Sequence, residues 1–206
     1  MNTDNIRIIL ASQSPRRREL LGGIGLDFEV IPSYDEEQPK ETRPSRVVME
    51  LSLMKAGDVF QRCRNDAGSE KGLLVIGADT IVSLNGEILG KPKDEAEAYE
   101  MIRKLSGKDH EVFTGVTLYY FRPGMEEPLV KTFFEQTTVS FYPLTEEEIR
   151  FCVEKGEPMD KAGAYAIQGA AGRYISRIIG DINNVIGLPV PRLIQELKLL
   201  YNRPLA

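Results

Sequence analysis

Leu73-Leu74-Val75-Ile76-Gly77-Ala78-Asp79-Thr80-Ile81-Val82-Ser83-Leu84-Asn85-Gly86-Glu87-Ile88-Leu89 decides the fold class. Leu73 to Ile76 is a continuous apolar run stopped by Gly77, the pattern of a strand buried on both faces. Ile81 to Leu84 and Glu87 to Leu89 flank Asn85-Gly86, a dipeptide that tolerates the positive φ angles of a tight hairpin turn. The reading is a buried strand, ending near Asp79, followed by a hairpin that starts there. A sheet core is therefore expected.

Working toward the N-terminus, Arg7 to Ala11 reads as another short buried strand. Ser14 can cap a helix whose first residue is Pro15 and which ends near Gly22 and Gly23. Phe28 to Ile31 is a further strand, and Tyr34 to Thr42 is a polar, acidic loop. Ser45 to Phe60 is helical, with Val47, Val48, Leu51, Met54 and Val59 on one face. Toward the C-terminus, Asp94 caps a helix running to Ser106. Strands follow at Val112–Phe121 and, after a turn at Pro123 and Gly124, Val130–Tyr142. Thr145 and Glu148 form a capping box for a helix ending at Gly156. The glycine-rich stretch from Asp160 to Gly172 is irregular, Tyr174–Ile179 is a strand, and Pro189 or Pro191 opens a last helix ending near Tyr201. Strands and helices mix without a strict βαβ repeat, so the expectation is α/β (mixed α+β), one domain over residues 1–206 with a mixed central sheet.

Composition narrows the chemistry. A net charge of −5 opposes a broad nucleic-acid surface, so no nucleic-acid partner is expected. No stretch reaches the roughly 20 apolar residues of a membrane helix, and the start carries no basic-then-apolar leader. The expectation is a soluble, cytoplasmic protein without a membrane partner. Cys63 and Cys152 stand in no metal-ligand spacing and read as reduced structural thiols. His110 is the single histidine, which rules out a zinc site built from several imidazoles and leaves a Ser/His/Asp triad without a motif. Carboxylate, ammonium and guanidinium remain, the set that suits Mg²⁺ or Mn²⁺ and phosphates.

Arg16, Arg17 and Arg18 crowd the first turn of a helix, where the macrodipole disfavours each cation by about 0.3–1 kcal/mol. An anion bound there would reverse the sign, and successive arginines diverge, so at most two reach one ligand. Asp79 puts a carboxylate beside a buried apolar run, a costly position unless a cation or metal meets it. The hairpin can return Lys91 toward the same end of the sheet. Lys55 borders the apolar stripe of its helix and must either extend to water or meet an anion. Glu36 and Glu37, in the acidic loop, could hold a divalent cation. Gln168 offers both donor and acceptor to a pyrimidine edge. Asp160-Lys161 reads as a surface ion pair.

Five segments in order, Leu10-Ala11-Ser12-Gln13-Ser14-Pro15-Arg16-Arg17, Gly77-Ala78-Asp79-Thr80, Gly90-Lys91-Pro92, Asp160-Lys161-Ala162-Gly163-Ala164-Tyr165 and Asn184-Val185-Ile186-Gly187-Leu188-Pro189, resemble the Maf family of nucleoside triphosphate pyrophosphatases, also called septum formation proteins. The resemblance spans nearly the whole chain. It implies the inosine triphosphate pyrophosphatase-like fold, a mixed sheet with flanking helices and two lobes around a deep cleft. It also implies hydrolysis of a nucleoside triphosphate to the monophosphate and pyrophosphate with a divalent metal cation, Mg²⁺ or Mn²⁺, and a homodimer.

Residue by residue, the resemblance implies Asp79 as general base and Glu37 with Asp79 at the metal. Ser12, Arg17, Lys55 and Lys91 would surround the triphosphate, and Arg16, Thr80 and Gln168 would discriminate between substrates. The sister subclass acting on 7-methylguanosine triphosphate is expected to carry Trp, Gln and Glu at those three positions, so this chain resembles the dTTP/UTP subclass. Two alternatives stay open: a nucleotide-binding regulator of septum formation with little hydrolysis, and a phosphatase removing only the terminal phosphate.

Overall fold

A computed structural model describes residues 5–34, 38–64, 71–155 and 158–201. One seven-stranded mixed sheet organises them: β1 (Ile6–Ala11), β2 (Glu29–Val30), β3 (Gly72–Leu84), β4 (Glu87–Leu89), β5 (Asp109–Phe121), β6 (Leu129–Phe141) and β7 (Ile175–Ile179). The order is β2-β1-β3-β5-β6-β7, with β4 folded back on β3. β2, β1 and β3 run parallel, and β3, β5, β6 and β7 are successively antiparallel. Six helices flank this sheet among the described residues: α1 (Pro15–Gly22), α2 (Pro44–Cys63), α3 (Glu95–Leu105), α4 (Glu146–Lys155), α5 (Ile182–Ile186) and α6 (Val190–Tyr201). None is long and apolar enough to cross a membrane.

Most helix starts follow from local side-chain chemistry. Ser14 Oγ accepts the Arg17 amide, Asp94 the Glu97 amide, and Thr145 with Glu148 exchanges two bonds as a capping box. Asn85 and Gly86 take φ 52° and 86°, which is the turn their sequence predicts.

The central strand differs from its expected shape. β3 is continuous over 13 residues, so Asp79 lies in mid-strand and not at an end, and the hairpin turns at Asn85-Gly86. Gly77 does not interrupt the strand; it makes room for a helix. A Cβ there would come within 2.6 Å of the Ser52 carbonyl, and one on Gly115 would overlap the Val48 carbonyl. These two missing side chains let α2 lie close across β3 and β5.

Alternation along β3 distributes the core. Leu73, Val75 and Ile81 face α2, joining Val59 and Phe60 or Val48 and Leu51. Leu74, Ile76 and Ala78 face the opposite side, under Leu193 and Leu197 of α6, while Val82 and Leu84 on that side pack with α3 and α4. Thr80 stands between these two clusters.

His110 lies within β5 and not before it, fully buried, with Nε2 2.7 Å from the Tyr165 hydroxyl. Burial drives its pKa down to about 4, opposed by the nearby Asp109 charge, so at neutral pH it is an uncharged core residue. Cys63 and Cys152 are buried free thiols. The five-residue helix α5 falls where no element was expected; it is too short to show a helical period, and Asp181 starts it by accepting the Asn183 amide.

Candidate active site

β3 pairs with β1 as far as Ala11 opposite Gly77, and with β4 only from Leu89 opposite Val82. Among the described residues, Ala78 to Ile81 therefore have no strand neighbour on that edge. A cavity of about 390 Å³ opens at this gap. Because successive side chains on a strand point to opposite faces, the gap displays Asp79 toward α2 and Thr80 toward α1 and α5.

On the α2 face, Lys55 reaches across and donates from Nζ to Asp79 Oδ1 at 2.6 Å. Both side chains are largely buried, 16% and 11% exposed, so each offsets the other's desolvation. Lys55 has thus met the anion that its place beside an apolar stripe required.

On the other face, Arg17 is fixed by three acceptors from separate segments. Nε donates to the Gly187 carbonyl at 2.8 Å, Nη1 to Ser12 Oγ at 3.2 Å and Nη2 to Thr80 Oγ1 at 2.9 Å. A guanidinium suits this task because its five N–H groups form a planar fork. Ser12 Oγ also accepts the Ser14 amide at 3.2 Å, which closes the turn from β1 into α1. Gly187, with φ 129°, ends α5 in a backbone region that disfavours side chains.

A third wall comes from the irregular 160s segment. The Gly163 amide donates to the Gly90 carbonyl, and Gly163 packs so tightly on Val82 that a Cβ would come within 2.9 Å of it. Lys161 is only 8% exposed, and its Nζ donates to Asp160 Oδ1 at 2.5 Å. Asp160 also faces Arg16 Nη1 at 3.8 Å. Burial acts to raise the Asp160 carboxyl, but the Lys161 hydrogen bond and charge, with the Arg16 charge, hold it below the usual carboxylate range.

The cavity lining includes Ser12, Arg16, Arg17, Lys55, Asp79, Thr80, Lys91 and Gln168, so these eight expected site residues surround one space. Arg18 instead lines a separate shallow depression. Glu37 lies outside the described residues. Sequence reading did not assign Asp160 and Lys161, which looked like a surface pair, or Thr114 and Asn184, which buttress Thr80 from behind. The available signal for Thr114 was a hydroxyl between Val112 and Val116 on one face of its strand; burial of Lys161 depends on the fold of an irregular segment and has no periodicity to reveal it.

Five cationic side chains line the cavity, Arg16, Arg17, Lys55, Lys91 and Lys161, against two carboxylates, Asp79 and Asp160, among the described residues. In a chain of net charge −5 this local excess of positive charge gives the cavity the electrostatics that suit a polyanion. Among the described residues no three His, Cys, Asp or Glu side chains cluster as a preformed metal cage. Asp79 nevertheless offers the hard oxygen that Mg²⁺ needs, since that ion commonly takes one or two carboxylates and completes its shell with substrate phosphates and water.

The sequence matches the family description Maf-like protein over residues 7–200. A protein of Agathobacter rectalis named dTTP/UTP pyrophosphatase is 50% identical, with 94% of this chain and 97% of the relative covered. Proteins of the same name from Lachnoclostridium phytofermentans and Carboxydothermus hydrogenoformans are 47% and 46% identical, covering 93% and 94% of this chain and 94% and 98% of theirs.

Proposed function

This chain belongs to the Maf-like protein family, and on that premise we propose that it is a nucleoside triphosphate pyrophosphatase, releasing monophosphate and pyrophosphate from dTTP and UTP. The observation that carries the reading is the cavity itself, with five cations and the Lys55–Asp79 pair at a break in the sheet. Cations of that number suit a triphosphate, whose charge must be neutralised before a nucleophile can approach phosphorus.

In this reading Arg17 and Ser12 at the start of α1, with Lys55 and Lys91, hold the phosphate chain. Asp79 orients the attacking water and accepts its proton, with one carboxylate oxygen fixed by Lys55. Arg16, Thr80 and Gln168 contact the nucleoside and set selectivity. Asp79, together with Glu37, would hold a divalent cation, Mg²⁺ or Mn²⁺, which when bound neutralises phosphate oxygens. We further propose that it clears nucleotide pools in the cytoplasm, as the homodimer that the family resemblance implies.

Timed product analysis with Mg²⁺ and a nucleotide panel tests the reading. Monophosphate and pyrophosphate from dTTP and UTP are expected, and chelation should stop the reaction. Orthophosphate with diphosphate would identify a terminal phosphatase, and tight binding without products a nucleotide-binding regulator of septum formation.

A further inference from the structure

The hydroxyl of Thr80 is held in one polarity. Thr114 Oγ1 donates to the Asn184 carbonyl at 2.9 Å, and that carbonyl can only accept. The single Thr114 proton is thereby used, because turning it elsewhere would leave two oxygens facing each other with lone pairs in a buried place. Thr80 Oγ1 stands 2.9 Å from Thr114 Oγ1 as its cross-strand partner, so Thr80 supplies the proton of that bond. Arg17 Nη2, which can only donate, occupies one Thr80 lone pair. The other lone pair belongs to the cavity that Thr80 lines.

We propose that Thr114 is a positioning residue for base selectivity, turning Thr80 into an obligate acceptor that reads the N3–H donor of a keto-pyrimidine. The inference rests on the nucleotide pyrophosphatase reading and names the atom by which that site selects. Uracil and thymine present a proton at N3, whereas cytosine presents a lone pair there. Against cytosine, the fixed Thr80 oxygen meets another acceptor. Thr114 is fully buried and does not line the cavity, so it acts on a ligand only through the Thr80 hydroxyl and the α5 backbone that it also holds.

The test compares kcat/KM for UTP and CTP in the unaltered protein, Thr114→Ser and Thr114→Val. The expected preference for UTP is about tenfold or more, the usual penalty when a buried polar group loses its partner. Thr114→Ser keeps both the acceptor and the donor and should retain that ratio. Thr114→Val frees the Thr80 proton to turn toward the cavity, and the ratio should fall at least fivefold. An unchanged ratio in an active Thr114→Val protein overturns the proposal, as does equal use of UTP and CTP by the unaltered protein. If Thr114→Val does not fold, 3-deaza-UTP decides with the unaltered protein: it has no N3 donor and should be used at least tenfold less well than UTP, and equal use overturns the proposal. Failure to convert UTP to monophosphate and pyrophosphate would instead remove the underlying reading, and this inference with it.

Discussion

Lys55 Nζ sits 2.6 Å from Asp79 Oδ1, joining the middle of a long helix to the middle of the central strand. The pair is a product of backbone proximity as much as of charge. Asp79 is directly opposite Gly115 in the β3–β5 ladder, and Gly115 is where the Val48 carbonyl of α2 settles on the sheet. The strand gap beside Asp79 then gives the carboxylate access to the cavity.

Asp79→Asn preserves shape while removing the charge and the proton acceptor. Turnover to the monophosphate should fall by a factor of roughly 10² to 10⁴, the usual worth of a positioned base. The unfolding temperature should also fall, because the largely buried Lys55 ammonium keeps an acceptor in the amide oxygen but loses its counter-charge. Near-normal turnover in this variant would take Asp79 out of its assigned role.

Gly115→Ala and Gly77→Ala should each lift α2 from the sheet. Overpacking typically costs about 1–3 kcal/mol, and backbone carbonyls have little room to yield, so the upper part of that range is expected in urea denaturation. Activity should drop as well, since Lys55 is carried away from Asp79. Gly90→Ala is the control: a Cβ there would meet nothing within 4 Å, and its stability should change by no more than about 0.5 kcal/mol.

These glycines also explain where sequence reading succeeded and where it fell short. Periodicity and capping chemistry located α1 to α4 and most strands, because Ser14, Asp94 and Thr145 act within a few residues of themselves. Gly77 looked like a stop because the helix that requires it is about 20 residues away along the chain, and that crossing is a tertiary fact. The charged set around Asp79 was legible because buried charges demand partners, whereas Lys161 and Thr114 owe their positions to distant segments. Asn184 was quoted only as part of a motif, and its structural task was not readable from its neighbours.

His110 predicts a pH window for stability. Its folded pKa is lowered to about 4 from an ordinary 6.5, so between those values the unfolded chain binds more protons. Its contribution is fully present above pH 6.5, declines as pH falls, and is lost through about pH 4, a change of roughly 3 kcal/mol. Urea midpoints measured from pH 7 to pH 4 should show that slope. His110→Gln can still meet the Tyr165 hydroxyl but does not titrate, so its curve should be flatter across the window; an identical slope would assign the acid sensitivity to other groups.

Asn184 predicts a second, charge-based weakness beneath the site. The residue is fully buried, and its Nδ2 donates to the Val112 carbonyl at 3.0 Å and to Thr137 Oγ1 at 2.9 Å, while its own carbonyl receives Thr114. Asn184→Asp has almost the same volume but replaces both donors with an acceptor and sets a carboxylate oxygen against the Val112 carbonyl. Leaving buried polar groups unpaired in this way should destabilise the fold by roughly 3–5 kcal/mol at neutral pH. Protonating the introduced carboxylate restores a donor, so part of that loss should be recovered in mild acid relative to the parent protein. Asn184→Ala lacks the charge and should show a smaller loss with no such recovery. If the two variants lose equal stability at every pH, the cost comes from the lost hydrogen bonds and packing that they share, and the introduced carboxylate adds no charge-based penalty.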